Sequence, residues 1–293
     1  MLLKIHLLKP VVIAFLLVFV LQFINQGYAQ QQPLQTMFWN NYSFYNPAAT
    51  GINSTYYIAS SSRLQWQKIN RRPITQMLLF DYKMDKINSG VGINYTFDQL
   101  GFENSNTINL NYAYQIKLKK ERILSAGLSL GYQKLAIDWS SLSPLMLNDP
   151  AIPLNTTYNF FNVGAGFVYQ SPYLLVGASA TQINENSEPY YKKSRHLYFC
   201  SIGTINLPSK FQLKPAVIYR SLYYGSLLEF NTRAVYLKKY WIGSSYRFND
   251  ALCFMAGVDI KEKFRISYAS DIYSSKLIRF GATHELGLAL MLN

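Results

Sequence analysis

Few side chains in this sequence are equipped for catalysis. Beyond residue 29 the only histidines are His196 and His284. His284 precedes Glu285, but adjacent residues of a strand point to opposite faces, so the two form no dyad. His196 reads as an interfacial or loop-base residue rather than a general base. Gly127-Leu128-Ser129-Leu130-Gly131 matches Gly-x-Ser-x-Gly in letters, but it lies inside an alternating strand segment and not at a strand-to-helix elbow, and no His-Glu-x-x-His pair or phosphate-binding loop occurs. With Cys200 and Cys253 as the only cysteines, no four-ligand metal cluster can be assembled. The expectation is therefore a protein that is not an enzyme and needs no metal or cofactor. A lipase built from a His and a Ser on a lipid-facing rim is the enzymatic alternative, and no residue pattern supports it. What the sequence offers instead is charge: basic clusters such as Lys117, Lys119, Lys120 and Arg122, or Lys238 and Lys239.

Composition shows what must carry those clusters. The 293 residues are 49% hydrophobic, 16% aromatic and only 15% charged, with a formal charge of +13. Mean hydropathy is nonetheless -0.01. The aromatic content excludes a disordered chain, and two cysteines exclude a disulfide scaffold. A bundle of transmembrane helices would show several long apolar runs. Only one exists, Val11 to Leu21, preceded by Lys4 and Lys9 and followed by Gly27-Tyr28-Ala29. Residues 1–29 thus read as a cleaved secretory signal peptide, with an uncleaved anchor as the alternative. Cleavage leaves 264 residues of charge 28 − 2 − 15 = +11. Export makes a nucleic-acid partner an unsuitable explanation for that charge.

The remaining chain alternates with period two. In Ser125–Gln133, Ala126, Leu128, Leu130 and Tyr132 share one face, and Ser125, Gly127, Ser129, Gly131 and Gln133 the other. A soluble sandwich also alternates. Here, however, the polar face is Gly, Ser and Asn, which suits a lumen, and aromatics gather toward segment ends as in membrane girdles. Fourteen segments of about ten residues follow: roughly 54–66, 73–83, 89–98, 106–117, 123–135, 159–170, 173–183, 195–206, 211–221, 226–237, 240–248, 251–259, 263–270 and 282–293. The predicted fold is an all-β transmembrane antiparallel barrel over residues 54–293, with residues 30–53 as a pre-barrel segment at the periplasmic rim or plugging the lumen. Apart from a tight Asn249-Asp250 turn and a short loop near Tyr223–Gly225, connections alternate between short inner turns and longer outer loops, the latter including Gln67–Arg72, Gln99–Ser105, Ala136–Tyr158, Asn184–Ser194 and Asp271–Gly281. Cys200 and Cys253 fall on strands eight and twelve, too far apart for a disulfide.

Topology sorts the charges. Lys117, Lys119, Lys120, Arg122, Lys238 and Lys239 fall on inner turns and form a basic periplasmic rim. They would anchor at anionic lipid or dock an acidic periplasmic partner. Lys68, Arg71, Arg72, Lys192, Lys193 and Arg195 fall on the outer side. Arg233, Arg247, Arg265 and Asp259 point inward.

Several blocks then stand together: Phe44-Tyr45-Asn46-Pro47-Ala48-Ala49-Thr50-Gly51, Arg63-Leu64-Gln65-Trp66, Pro73-Ile74-Thr75-Gln76, Trp241-Ile242-Gly243-Ser244-Ser245-Tyr246-Arg247 and His284-Glu285-Leu286. In this order and spacing the chain resembles the PorP/SprF family of type IX secretion system membrane proteins of the Bacteroidota. The resemblance implies a non-catalytic component in the outer membrane of a Gram-negative bacterium. It would help export or surface-anchor a large secreted protein, including gliding adhesins, by binding its C-terminal sorting domain or other machinery subunits, periplasmic ones among them. Asn46, Pro47, Gly51, Arg63, Gln65, Trp66 and Gln76 are the candidate partner-binding residues. Turn formation by Asn-Pro and Gly, and Arg63 packing on Trp66, are the structural alternatives for the same residues. A passive pore or small-solute transporter is the alternative function. The chain departs from common barrel practice by ending Met291-Leu292-Asn293, without a terminal aromatic.

Overall fold

The computed structural model describes residues 33–139, 155–188, 191–222, 225–274 and 276–293. Its strands are β1 (Tyr56–Leu64), β2 (Ile74–Met84), β3 (Ser89–Leu100), β4 (Glu103–Leu118), β5 (Arg122–Ile137), β6 (Thr156–Gln170), β7 (Leu174–Thr181), β8 (Asn186–Glu188), β9 (Tyr191–Lys193), β10 (His196–Gly203), β11 (Ile205–Asn206), β12 (Phe211–Leu222), β13 (Gly225–Tyr236), β14 (Tyr240–Arg247), β15 (Ala251–Ile260), β16 (Phe264–Tyr273) and β17 (Thr283–Leu292). Apart from the small β8–β9 hairpin, each pairs antiparallel with its neighbours, and β1 pairs with β17, so the sheet closes on itself. With β10 and β11 forming one staircase beside β12, the ring has 14 staves. Among the described residues no helix is long and apolar enough to cross a membrane.

Closure follows from the strand chemistry. Lipid offers backbone groups no hydrogen bonds, so every strand edge must be paired. Alternation then sends Leu78, Phe80, Leu110, Leu128, Leu130, Phe167, Ile242 and Leu288 outward. Aromatic pairs mark the end with the short turns: Tyr56 on Tyr82 at 4.9 Å between centroids, Phe211 on Tyr236 at 4.6 Å. The break between β10 and β11 also has a local cause. It lies opposite Lys214 and Pro215, and proline has no N–H to give the ladder.

All 14 predicted segments appear as staves, with ends shifted by a few residues. The expected long-and-short alternation of connections is weaker than predicted. β3 and β4 run through most of Gln99–Ser105, leaving the tight turn Gly101-Phe102, where Gly101 has φ of +62°. Asp271 belongs to β16 instead of a loop. Residues 140–154 of the predicted Ala136–Tyr158 loop lie outside the described residues.

Candidate functional site: a segment inside the lumen

The polar inner wall encloses the chain's own residues. Short helical turns at Phe38–Asn41, Tyr42–Tyr45 and Pro47–Ala49 precede β1, and nearly every residue from Gln35 to Ser54 is buried. Asn46 caps the last turn, its Oδ1 accepting from the Ala48 N–H at 3.0 Å, with Pro47 at the first helical position. Its amide also donates to the Phe167 and Ala178 carbonyls of β6 and β7, at 3.0 and 3.3 Å. The wall makes room for this contact with Gly166, where an added Cβ would lie 2.1 Å from Asn46 Oδ1. Gly51 turns the chain toward β1 with φ of +68°, against Gly90 of β3.

The other end of the segment is held by charge. Arg63 lies 2.5 Å from Asp271 and 3.1 Å from Glu285, all three buried. Arg247 reaches Asp271 at 2.9 Å and Glu229 at 3.4 Å, and Arg220 reaches Glu229 at 2.9 Å. Three arginines thus face three carboxylates, with Asp250 at the edge of the group, 3.3 Å from Arg247. Thr36 sits at the centre. Its hydroxyl donates to Asp271 at 2.7 Å and accepts from Arg63 and Arg247, at 2.9 and 2.6 Å. Glu285 accepts the backbone N–H groups of Thr36 and Met37, at 2.8 and 3.1 Å. Buried charges are tolerable only when paired and hydrogen-bonded in this way.

The lumen is filled unevenly. Between the segment and the walls β3–β6 and β9–β10 lies a cavity of about 240 Å³, lined by amides and hydroxyls such as Asn94, Asn109, Asn111, Ser129, Gln133 and Asn162. Lys193 of β9 turns into this side, donating to the Phe161 carbonyl at 2.8 Å and to Asn162. Burial lowers its amine from 10.5 to about 8. Lys193 thus lies in the outer connection between β7 and β10, as expected, but at 1% exposure it is folded into the lumen and does not present its charge outside the barrel.

The family model described as "Type IX secretion system membrane protein PorP/SprF" matches residues 27–290. The chain belongs to this family. No curated protein sequence matches it. Two toluene transporters are among the solved structures that resemble its fold. The Ralstonia pickettii toluene transporter TbuX aligns with a TM-score of 0.53 at 11% identity, over 85% of this chain and 93% of that one. The Pseudomonas putida toluene transporter TodX aligns with a TM-score of 0.50 at 9% identity, over 92% and 98%. At such identities the likeness speaks for an outer-membrane barrel fold alone. Family and fold together make the chain an outer-membrane component of type IX secretion.

In this PorP/SprF barrel the seven candidate residues do not form one surface. Asn46, Pro47 and Gly51 lie in the lumen segment, and Arg63 faces them from β1 on the wall opposite β6 and β7. Gln65 and Trp66 follow β1 into a connection. Trp66 has φ of +52° and packs its ring against Tyr273 and Phe280, at 6.3 and 6.1 Å between centroids. It does not stack on Arg63, which is committed to carboxylates. Gln76 is exposed on the outer face of β2. Lys117, Lys119, Lys120, Arg122, Lys238 and Lys239 are all exposed at the short-turn end, where Lys117 and Lys83 flank Asp85 at 3.0 and 3.3 Å and hold its carboxyl below its ordinary pKa.

The histidines and cysteines resolve similarly. His284 contacts the Tyr268 hydroxyl while Glu285 points into the lumen, on opposite faces of β17. His196 stands at the base of β10 as expected, but it is buried toward the cavity and not at the membrane interface. Cys200 and Cys253 are free and buried.

Proposed function

We propose that this protein is a closed, non-catalytic barrel of the outer membrane of a Bacteroidota cell. In this reading it helps export or surface-anchor a large, adhesin-like secreted protein by binding that protein's C-terminal sorting domain or other subunits of the secretion machinery. The short turns face the periplasm and the basic rim meets lipid headgroups and periplasmic partners. The observation that carries the reading is the filled lumen: residues 35–54 are packed across the interior and pinned to opposite walls, through Asn46 on one side and Thr36 on the other. A barrel obstructed by its own chain is better suited to holding a partner than to passing solutes. That observation also weighs against the pore reading.

Two measurements test it. Purified barrel in planar bilayers should show no large, stable conductance; a steady open channel would favour the pore. Pull-down of secreted and machinery proteins from cells should depend on Asn46 and Trp66. Unchanged recovery after both are substituted, with normal barrel assembly, would show that neither the seating of the lumen segment by Asn46 nor Trp66 is needed to hold a partner.

A further inference from the structure

Among the described residues the lumen pairs its buried arginines with carboxylates, with one exception. Arg63, Arg220 and Arg247 each contact a carboxylate near Thr36. Arg265, nearer the short turns, holds Asp259 by two contacts of 2.7 and 2.6 Å. Arg233 and Lys214 are different. They are direct antiparallel partners on β12 and β13, so two cations oppose each other across one strand pair. Like charges so placed repel. Among the described residues neither has a carboxylate within ion-pairing reach. Arg233 is 8% exposed and its Nε has no hydrogen-bond partner. Its guanidinium lies 3.8 Å over the Trp39 ring of the lumen segment and 6.0 Å from Trp241. An aromatic face offsets part of the desolvation of a cation, and leaves its hydrogen-bond donors unused. Lys214 is half-buried and lies three residues into β12 from its short-turn end.

Lipid cannot supply the missing charge. The exposed rim lysines at the strand ends can meet headgroups, whereas Lys214 and Arg233 share the lumen face with Ala216, Ile218, Asn231 and Val235. An anion must enter through the mouth, past the exposed Lys238 and Lys239 of the β13–β14 turn. We propose that Lys214 and Arg233 form an oxyanion site that takes a carboxylate from an acidic segment of a partner protein presented at this mouth. Arg233 supplies planar donors, Lys214 a point charge, and the rim a steering field. This deepens the proposed function by naming how a periplasmic partner is gripped, and it rests on that reading for the orientation of the barrel.

The test uses the full-length protein in detergent and a fluorescent deca-glutamate peptide at fixed ionic strength, with acetate and inorganic phosphate as separate competitors. The wild type should bind the peptide, and Lys214→Gln should weaken binding at least tenfold. Lys119→Gln/Lys120→Gln on the rim should cost a few-fold at most. Peptide should raise the unfolding temperature of the wild type and leave that of Lys214→Gln unchanged. Because Lys214 carries an uncompensated charge, Lys214→Gln and Lys214→Met without ligand should be at least as heat-stable as the wild type. The proposal is overturned if Lys214→Gln binds peptide like the wild type. It is also overturned if acetate or phosphate binds at Lys214 and the peptide does not, or if both Lys214 variants unfold earlier than the wild type. Binding in detergent is independent of secretion in cells, so loss of the oxyanion site and loss of the secretion reading give separate results.

Discussion

Arg63 of β1 and Asp271 of β16 meet at 2.5 Å inside the lumen, and the Thr36 hydroxyl is hydrogen-bonded to both. The pair lies beside the seam where the barrel closes, since β1 and β16 are the two neighbours of β17. One cluster therefore joins the first and last strands to the segment that fills the barrel. Closing the sheet and seating the segment are energetically one event.

Glu285→Gln tests that coupling. The substitution keeps the shape and removes a charge facing Arg63, leaving three buried arginines against two carboxylates at the centre of the cluster. Removing one partner from a buried ion pair costs about 3–5 kcal/mol. The variant should unfold at lower temperature and should show intermittent conductance in planar bilayers, as the segment loses its hold at Thr36 and Met37. Unchanged stability together with continued electrical silence would sink the idea that this cluster keeps the lumen filled.

Asn46 and Gln76 should separate cleanly. Asn46→Ala loses the cap on Ala48 and the two bonds to β6 and β7, an effect of about 1–3 kcal/mol on the seating of the segment. Hydrogen exchange at residues 45–50 should rise. Gln76→Ala, on the exposed face of β2, should change stability by less than about 0.5 kcal/mol. Any loss of partner binding in that variant would then report direct contact rather than a disturbed fold.

Lys193 gives a pH dependence. Burial holds its amine at about 8 against an ordinary 10.5, so between those values the native state has released a proton that the unfolded chain still binds. Stability therefore rises with pH across roughly 8 to 10.5 and is level below 8 as far as this group is concerned. The unfolding temperature of the wild type relative to Lys193→Met should climb across that window, tyrosine titration being common to both. A constant difference would show that the amine is not buried beside Asn162.

Much of this architecture is legible in the sequence, because the lumen and lipid faces differ so plainly in residue type. Ala126, Leu128 and Leu130 against Ser125, Gly127 and Ser129 already define one staff of the barrel, and the inward Arg233, Arg247 and Arg265 follow from the same parity. The partners are not legible. Arg63 meets Asp271 and Glu285 across more than 200 positions, so no local pattern announces the pairing. Gly166 reads simply as a small lumen residue, and only Asn46 lying against it explains why nothing larger fits. Lys193 misled because a basic residue in a loop ordinarily faces water, and here a hairpin folds it inward.

The turns at the basic rim lead to a last prediction. Lys120-Glu121, Ser209-Lys210, Leu237-Lys238 and Lys261-Glu262 each place two consecutive residues at positive φ, between +53° and +64°. That is the geometry of a type I′ turn, which favours Asn-Gly. None of the four uses glycine, although the left-handed region costs a side-chain-bearing residue about 1–2 kcal/mol. In return, each turn carries a lysine at the tip of the mouth. Replacing Leu237-Lys238 by Asn-Gly should stabilise the hairpin by about 1 kcal/mol in urea unfolding, since glycine and asparagine adopt these angles without strain. The same variant should bind the acidic peptide more weakly and with a shallower salt dependence, because one steering charge is gone. A gain in stability with unchanged peptide binding would mean that the strained lysines serve the lipid surface alone. No gain in stability would mean that the flanking strands, and not the turn residues, set the backbone at this rim.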